Sequence, residues 1–291
     1  MYQYQQFAIL LRGGGDIATG IALRLYRSGF RRLIILETAH PMAVRRRVAF
    51  SEAVYEGLCT VEGITAALAP RPEEIAPLWD AGCIPVMVDP QGVTIPRLRP
   101  EVVIEATLAK RNVGVGITDA PLVIGVGPGF TVGENVHCIV ETNRGHNPGR
   151  VLYSGSAEPD TGIPGDIVGM TTERVLRAPQ TGIFLSRHDI GDHVKAGDVV
   201  ATVEANGVSK EIRTVISGVI RGLLRSGTPV TDRIKVGDVD PRDNTACHHV
   251  SDKAFAIGGG ILEAILGRFN RPCYIRRGIL HCPVDKNVPT A

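Results

Sequence analysis

No charge of either sign dominates this chain: lysine and arginine together number 32 against 30 aspartates and glutamates. Net charge therefore gives no reason to expect nucleic acid or an anionic membrane as partner, and any basic feature must be local. A long hydrophobic run is missing too. The opening MYQYQQ carries no positive cluster, and the apolar stretch after it breaks at Arg12 and Gly13. Neither a signal peptide nor a membrane span is expected, and the chain reads as cytoplasmic. The six cysteines, Cys59, Cys83, Cys138, Cys247, Cys273 and Cys282, include no CxxC pair, which fits reduced, mostly buried thiols better than disulfides. Ser/His/Asp ordering, HExxH and Walker sequences are absent, and no pair of carboxylates stands out as acid and base. Cys247-His248-His249 and Cys273 with His281-Cys282 are ligand types, but adjacent ligands chelate poorly and no ligand spacing repeats, so no metal is expected.

What is present is enough apolar material for a sizeable core: 44% of 291 residues, a length that suits about two domains. In the first half, short runs rich in Ile, Val and Leu alternate with turns or helical periodicity, as in a parallel sheet covered on both faces. Strands are expected at Phe7–Leu11, Leu33–Glu37, Ile84–Val88, Val102–Ala106, Leu122–Val126 and His137–Glu141, and helices at Ile17–Ser28, Pro72–Ala81 and Met42–Tyr55. The fold class is α/β: a Rossmann-like sheet domain over residues 1–150, a Gly/Pro/Ser/Asp-rich linker over 151–175, a small all-β barrel over 176–240 and a C-terminal helical segment over 241–291. The β unit repeats itself. Thr181-Gly182-Ile183-Phe184, then Gly191, Val194, Lys195, Gly197 and Asp198, is echoed by Ser217-Gly218-Val219-Ile220, then Gly227, Val230, Lys235, Gly237 and Asp238. Two such units facing each other make a flattened barrel. The tail helix, Asp252 to Arg268, is interrupted by Gly258-Gly259-Gly260. Each glycine costs ~1 kcal/mol relative to alanine, so either the helix begins after them or the backbone packs closely there. No residue of the tail shows obvious chemistry.

The chemistry is expected at the glycine loop. Phe7 to Gly20 reads strand, tight turn, helix, with Gly13, Gly15 and Ala18 at the three positions of GxGxxG/A. The first glycine permits the turn, the second lets a pyrophosphate approach the backbone, and the third position packs helix on strand. Free N–H groups at the helix start, beside Asp16, then face the phosphate. Glu37 ends the second strand 22 residues after Gly15, where a carboxylate can accept bonds from ribose hydroxyls. The competing reading is a glycine turn that merely packs, with Glu37 solvated. In open parallel sheets ligands sit outside the carboxyl ends of the strands. His40, Arg45-Arg46-Arg47, Lys110-Arg111-Asn112 and Arg144-Gly145-His146 follow strands there, with the glycines of 125–129 between them, so Lys110, Arg144 and His146 join the candidate site. Such an edge suits a ligand with several phosphates. For the arginine run taken alone, a solvated helix face is the alternative.

Ala178 to Asp238 resembles the biotinyl/lipoyl barrel family. In that family a hairpin presents Glu-Ala-Met-Lys-Met, and here Asn206, Gly207 and Val208 stand where Met, Lys and Met would be. The resemblance therefore implies a barrel without biotin or lipoate, since Lys210 lies three residues beyond the tip. The whole chain resembles the YqeB family of accessory proteins of selenium-dependent molybdenum hydroxylases. The likeness is carried by Gly14–Gly20, Val48–Gly57, Gly127–Phe130, Glu141–His146, Asp160–Gly165 and Lys253–Gly260. More loosely, the first half is similar to the Rossmann domain of xanthine dehydrogenase accessory proteins, although no cofactor-capturing domain is expected before the glycine loop. These resemblances imply an accessory factor that matures a molybdenum hydroxylase client; with the glycine loop, the expected ligand is a dinucleotide, NAD(P) or the dinucleotide form of molybdopterin. An NAD(P)-dependent oxidoreductase and a non-catalytic scaffold are the rival expectations.

Overall fold

Branched aliphatic side chains fill both faces of a pleat, and the apolar runs of the first half form strands for that reason. A computed structural model describes residues 3–243 and 246–270 and two short paired strands at 274–276 and 279–281. Cys273, Cys282 and the rest of the tail lie outside the described residues. The first half comprises β1 (Ala8–Arg12), α1 (Asp16–Arg27), β2 (Arg32–Glu37), α2 (Ala53–Glu56), β3 (Leu58–Val61), β4 (Ile64–Leu68), α3 (Ile75–Asp80), β5 (Ile84–Val88), α4 (Ile95–Leu98), β6 (Val102–Glu105), β7 (Leu122–Val126), β8 (Cys138–Val140) and β9 (Val151–Leu152). They pair in the order β3-β4-β5-β2-β1-β6-β7-β8-β9. All neighbours from β4 to β8 in that order are parallel, and β3 and β9 are antiparallel edges. From β1 the chain winds out through β2 and returns to β6 on the other side, so a crevice opens between the carboxyl ends of β1 and β6.

Both faces are buried. Ile9, Leu11, Ile35, Ile104 and Ile124 face one core with α1, whereas Leu10, Ile34, Val103 and Val123 face another with Ile75 and Ile95. The first face is completed by α5 (Asp252–Phe269), which packs against α1 and over β7, β8 and β9. Ser251 caps it by accepting from the Ala254 N–H at 3.2 Å. The helix runs through the three glycines because the backbone does pack closely there. A Cβ on Gly258 would lie 3.2 Å from the Gly20 carbonyl, and one on Gly260 would collide with that of Gly149.

Two expectations need correction. Met42–Tyr55 is not one helix but two 3₁₀ turns, Arg46–Val48 and Phe50–Glu52, followed by the single turn α2. Its groups are spent on tertiary contacts: the Ser51 N–H donates to Gly14 O at 2.9 Å, the Phe50 N–H to Thr19 Oγ1 at 2.9 Å, and Val44 O accepts from Leu223 N at 2.7 Å. The hairpin β3–β4, turning on Glu62-Gly63, was not expected at all. The sheet also reaches β9, two residues into the stretch assigned to the linker.

The second module holds β10 (Val175–Arg177), β11 (Gly182–Ser186), β12 (His193–Val194), β13 (Val199–Ala205), β14 (Val208–Arg213), β15 (Gly218–Leu223), β16 (Thr228–Val230) and β17 (Lys235–Asp240). They form two facing antiparallel sheets, β10-β17-β15-β12 and β14-β13-β11-β16. The sequence repeat is visible in the pairing. β11 carries β13 and β16, and β15 carries β17 and β12, so each repeat lends its short strand to the other's sheet. Phe184, Val203, Ile220 and Val239 fill the space between. The module docks on the sheet domain through Val44, through Arg46 and Arg47 paired with Asp189, and through Arg225, whose Nη2 lies 2.6 Å from both Glu52 and Glu56.

Candidate functional site

The chain leaves β1 at Arg12, whose guanidinium forms a buried ion pair with Glu105 at 2.9 Å, tying the ends of β1 and β6 together. Burial raises the Glu105 pKa, and Thr107 hydrogen bonds and Arg12 oppose that rise. Gly13 turns with φ 92°, a conformation that favours glycine. Gly14 is wedged in, since a Cβ there would lie 2.9 Å from the Ser51 nitrogen and 3.2 Å from Ile35. Gly15 is different: nothing lies within 4 Å of the Cβ it lacks. It is the N-cap of α1, and the first intrahelical bond runs from Thr19 N to Gly15 O at 2.8 Å. The N–H groups of residues 16–18 thus have no partner inside the helix, and the positive end of its dipole opens beside Gly15.

A cavity of about 690 Å³ opens at this point, between the carboxyl edge of the sheet and the barrel. Of the residues singled out from the sequence, Gly13, Gly15, Asp16, Ala18, Glu37, His40, Arg45 and Arg144 line it. Lys110 and His146 do not. Lys110 is exposed and paired with Asp160, and His146 is exposed on the loop after β8. Glu37 is held in place: Oε2 accepts from the Gly14 N–H and Oε1 from the Thr38 N–H, both at 2.7 Å. It also lines a second cavity of about 210 Å³, together with Arg12, Asp89 and Thr107. One carboxylate therefore stands between two hollows along the edge of the sheet.

The far wall of the larger cavity is cationic and, apart from Arg45, comes from residues that the sequence did not place at the site. Arg174, Arg221 and Lys235 of the second module and Lys253 of α5 all line it, as does Arg45. Burial, then the nearby Arg144, lowers the Lys253 pKa; burial and Arg221 likewise lower that of Arg45. Several buried polar atoms of this wall have no hydrogen-bond partner: Arg45 Nε and Nη1, Arg174 Nη1, Ser51 Oγ and Asp238 Oδ1. Three of these are guanidinium donors, Ser51 Oγ can donate or accept, and Asp238 Oδ1 can only accept. An unmet buried polar group costs about 1–3 kcal/mol and more when charged, so their gathering around one cavity marks a place where a ligand can meet them. The segments that carry the family likeness also gather there. Five of the six, all but 127–130, contribute lining residues: Gly15, Ser51, Arg144, Gly165 and Lys253 are examples. Among the described residues no group of three His, Cys, Asp or Glu side chains is arranged to hold a metal ion.

At the hairpin of the second module, Asn206 and Gly207 make the tip, with φ 50° and 76°, the conformation of a two-residue turn. Lys210 sits within β14, opposite Val203.

Comparison with known proteins gives three findings. Residues 174–239 match the family model described as biotin-requiring enzyme, Biotin_lipoyl. The protein YqeB of Escherichia coli strain K12 is 49% identical over 259 residues, covering 89% of this chain and 47% of that protein, so the chain spans about half the length of this relative. Among solved structures, urea carboxylase of Kluyveromyces lactis is 25% identical over 30% of this chain and 8% of its own, with a TM-score of 0.23. A succinylglutamate desuccinylase/aspartoacylase of Rhodobacter sphaeroides is 16% identical over 80% of this chain and 85% of its own, with a TM-score of 0.26. Among the described residues no helix is long and apolar enough to cross a membrane. The chain is thus similar to YqeB over most of its length, and a biotinyl/lipoyl-type segment forms its second module.

Proposed function

We propose that this chain binds a phosphate-bearing dinucleotide in the cleft between sheet and barrel, and that it serves in the cytoplasm as an accessory factor in the maturation of a molybdenum hydroxylase. The observation that carries the binding half is the open space at Gly15, set at a helix start and faced by buried guanidinium groups with unmet donors. A pyrophosphate supplies the negative charge and the acceptors that this arrangement is missing. The strand order β5-β2-β1-β6-β7-β8 supports a Rossmann-type reading, because it is the order of doubly wound dinucleotide-binding sheets. Glu37, between the two cavities, is suited to meet a ribose while the attached base occupies the smaller one. The maturation role rests on the resemblance to the accessory family and on the similarity to YqeB. In that role the barrel covers the ligand and contacts the client enzyme, and carries no biotin or lipoate, because its tip offers no lysine amine.

The test is analysis of protein purified from a molybdate-replete host, with small molecules released and identified by absorbance and mass. A pterin dinucleotide supports the whole reading, a nicotinamide dinucleotide supports the site but turns the role towards redox chemistry, and a chain free of any phosphate-bearing ligand supports a scaffold. Intact mass of the same protein is expected to equal that of the unmodified chain.

A further inference from the structure

The cleft holds more positive charge than a glycine loop requires. Arg45 follows β2, Arg174 precedes β10 and Arg221 lies on β15, yet all three line one cavity. Arg45 and Arg174 are only 7% and 5% exposed. Arg45 donates from Nη2 to the His249 carbonyl at 2.8 Å and leaves Nε and Nη1 without partners. Arg174 donates from Nε to Met170 O at 3.3 Å and from Nη2 to Gly165 O at 3.0 Å, and leaves Nη1 without one. The carboxylates nearby offset this charge in part. Asp238, whose Oδ1 has no hydrogen-bond partner, favours the charged form of both Arg45 and Arg174, as do Asp16 for Arg45 and Asp240 for Arg174, but oxygens of Asp238 and Asp240 are also held by other groups. Asp238 Oδ2 meets Lys235 at 2.7 Å, Asp240 meets Arg242 through both oxygens, and Glu37 holds the glycine loop. The positive charge of Arg221 acts against both Arg45 and Arg174. Like charges held together away from water destabilise the free protein, and a planar guanidinium with free N–H groups is the side chain best shaped to meet phosphate oxygens.

We infer that Arg45, Arg174 and Arg221 form a second phosphate subsite, separate from the phosphate position at Gly15, so that the site takes a phosphate group beyond the one seated on α1. This rests on the reading of the cleft as a phosphate site, and it makes the barrel half of that site instead of a spacer. The group is either part of the ligand or free inorganic phosphate. A phosphate beyond the pyrophosphate in the mass of the extracted ligand identifies the first, and its absence the second.

The experiment is thermal melting of the full chain in inorganic phosphate and in sodium chloride of equal ionic strength. The parent is expected to melt higher in phosphate. Arg174→Met and Arg221→Met are each expected to show a smaller rise, and Arg221→Met, which relieves repulsion and breaks no bond to the backbone, to melt at or above the parent in chloride. Gly15→Val is expected to keep the part of the phosphate rise that the arginines supply, because it blocks only the loop. Arginine variants that keep the full rise overturn the subsite. So does a Gly15→Val chain that loses all of it, since phosphate then sits on the loop alone. Neither result depends on whether Gly15→Val still binds the dinucleotide, which tests the glycine loop separately.

Discussion

Glu37 shows how one side chain can be both structural and poised for a ligand. Its two oxygens already accept from the Gly14 and Thr38 N–H groups, but each carboxylate oxygen has a further lone pair to offer. Glu37→Ala is therefore expected to weaken dinucleotide binding by about 1.5–3 kcal/mol, the range for a charged hydrogen bond. It should also lower stability, because it strips the acceptor from the Gly14 N–H; Glu37→Gln should cost less on both counts. Calorimetry and melting of the two variants check this, and parent-like affinity in Glu37→Ala would put the ligand elsewhere. Gly13, Gly15 and Glu37 were legible in the sequence because strand, turn, helix and the next strand are contiguous and each obeys local geometry. Arg174, Arg221, Lys235 and Lys253 were not legible. They lie far from the loop in the chain, and only the docking of the barrel and the return of α5 bring them to it. Lys253 stood inside a segment that carried the family likeness, and that was the one available signal.

Helix α5 carries the lesson at the next scale. Three consecutive glycines weaken a helix by ~1 kcal/mol each, yet here they let it lie against α1 and the turn at Gly149. The three are not equivalent, and this separates packing from propensity. Gly260→Val would drive a side chain into the Gly149 carbonyl and is expected to destabilise by about 1–3 kcal/mol, the usual cost of overpacking. Gly259→Ala, whose Cβ would meet nothing within 4 Å, is expected to be neutral or to stabilise by up to about 1 kcal/mol. Denaturant melts of both variants check the contrast, and equal effects would contradict it. The strands were readable because runs such as Leu122–Val126 are buried on both faces. The segment from Met42 to Tyr55 misled because its helical spacing of apolar residues serves two different neighbours, Val44 the barrel and Phe50 the sheet. The hairpin β3–β4 went unread because its turn is Glu62-Gly63, not the Asn-Gly or Asp-Gly that announces such hairpins.

At the scale of the molecule, the larger cavity is walled by both modules, so its far side depends on their docking. Part of that docking is ionic. Burial would raise the pKa of Asp189, but the Ile190 N–H, Arg46 and Arg47 outweigh it and hold the carboxyl below its ordinary value. A depressed carboxylate contributes stability above its unfolded pKa of about 3.9, and that contribution is lost as pH falls through the lower folded value. Docking is therefore expected to loosen below about pH 4, seen as faster hydrogen exchange at the Leu223 amide, which donates to Val44 across the interface. Asp189→Asn should show the faster exchange already at neutral pH. The central claim is that the space at Gly15 belongs to a phosphate, and its most direct measurement is Gly15→Val beside the parent, both purified from molybdate-replete cells. Gly15 has backbone that any residue adopts, φ −67° and ψ −177°, and nothing within 4 Å of the Cβ it lacks, so a side chain there meets no backbone strain and no clash at Cβ. The predicted result is an unchanged melting temperature in ligand-free protein and loss of the bound phosphate-bearing dinucleotide. A Gly15→Val chain that carries as much dinucleotide as the parent would contradict the account.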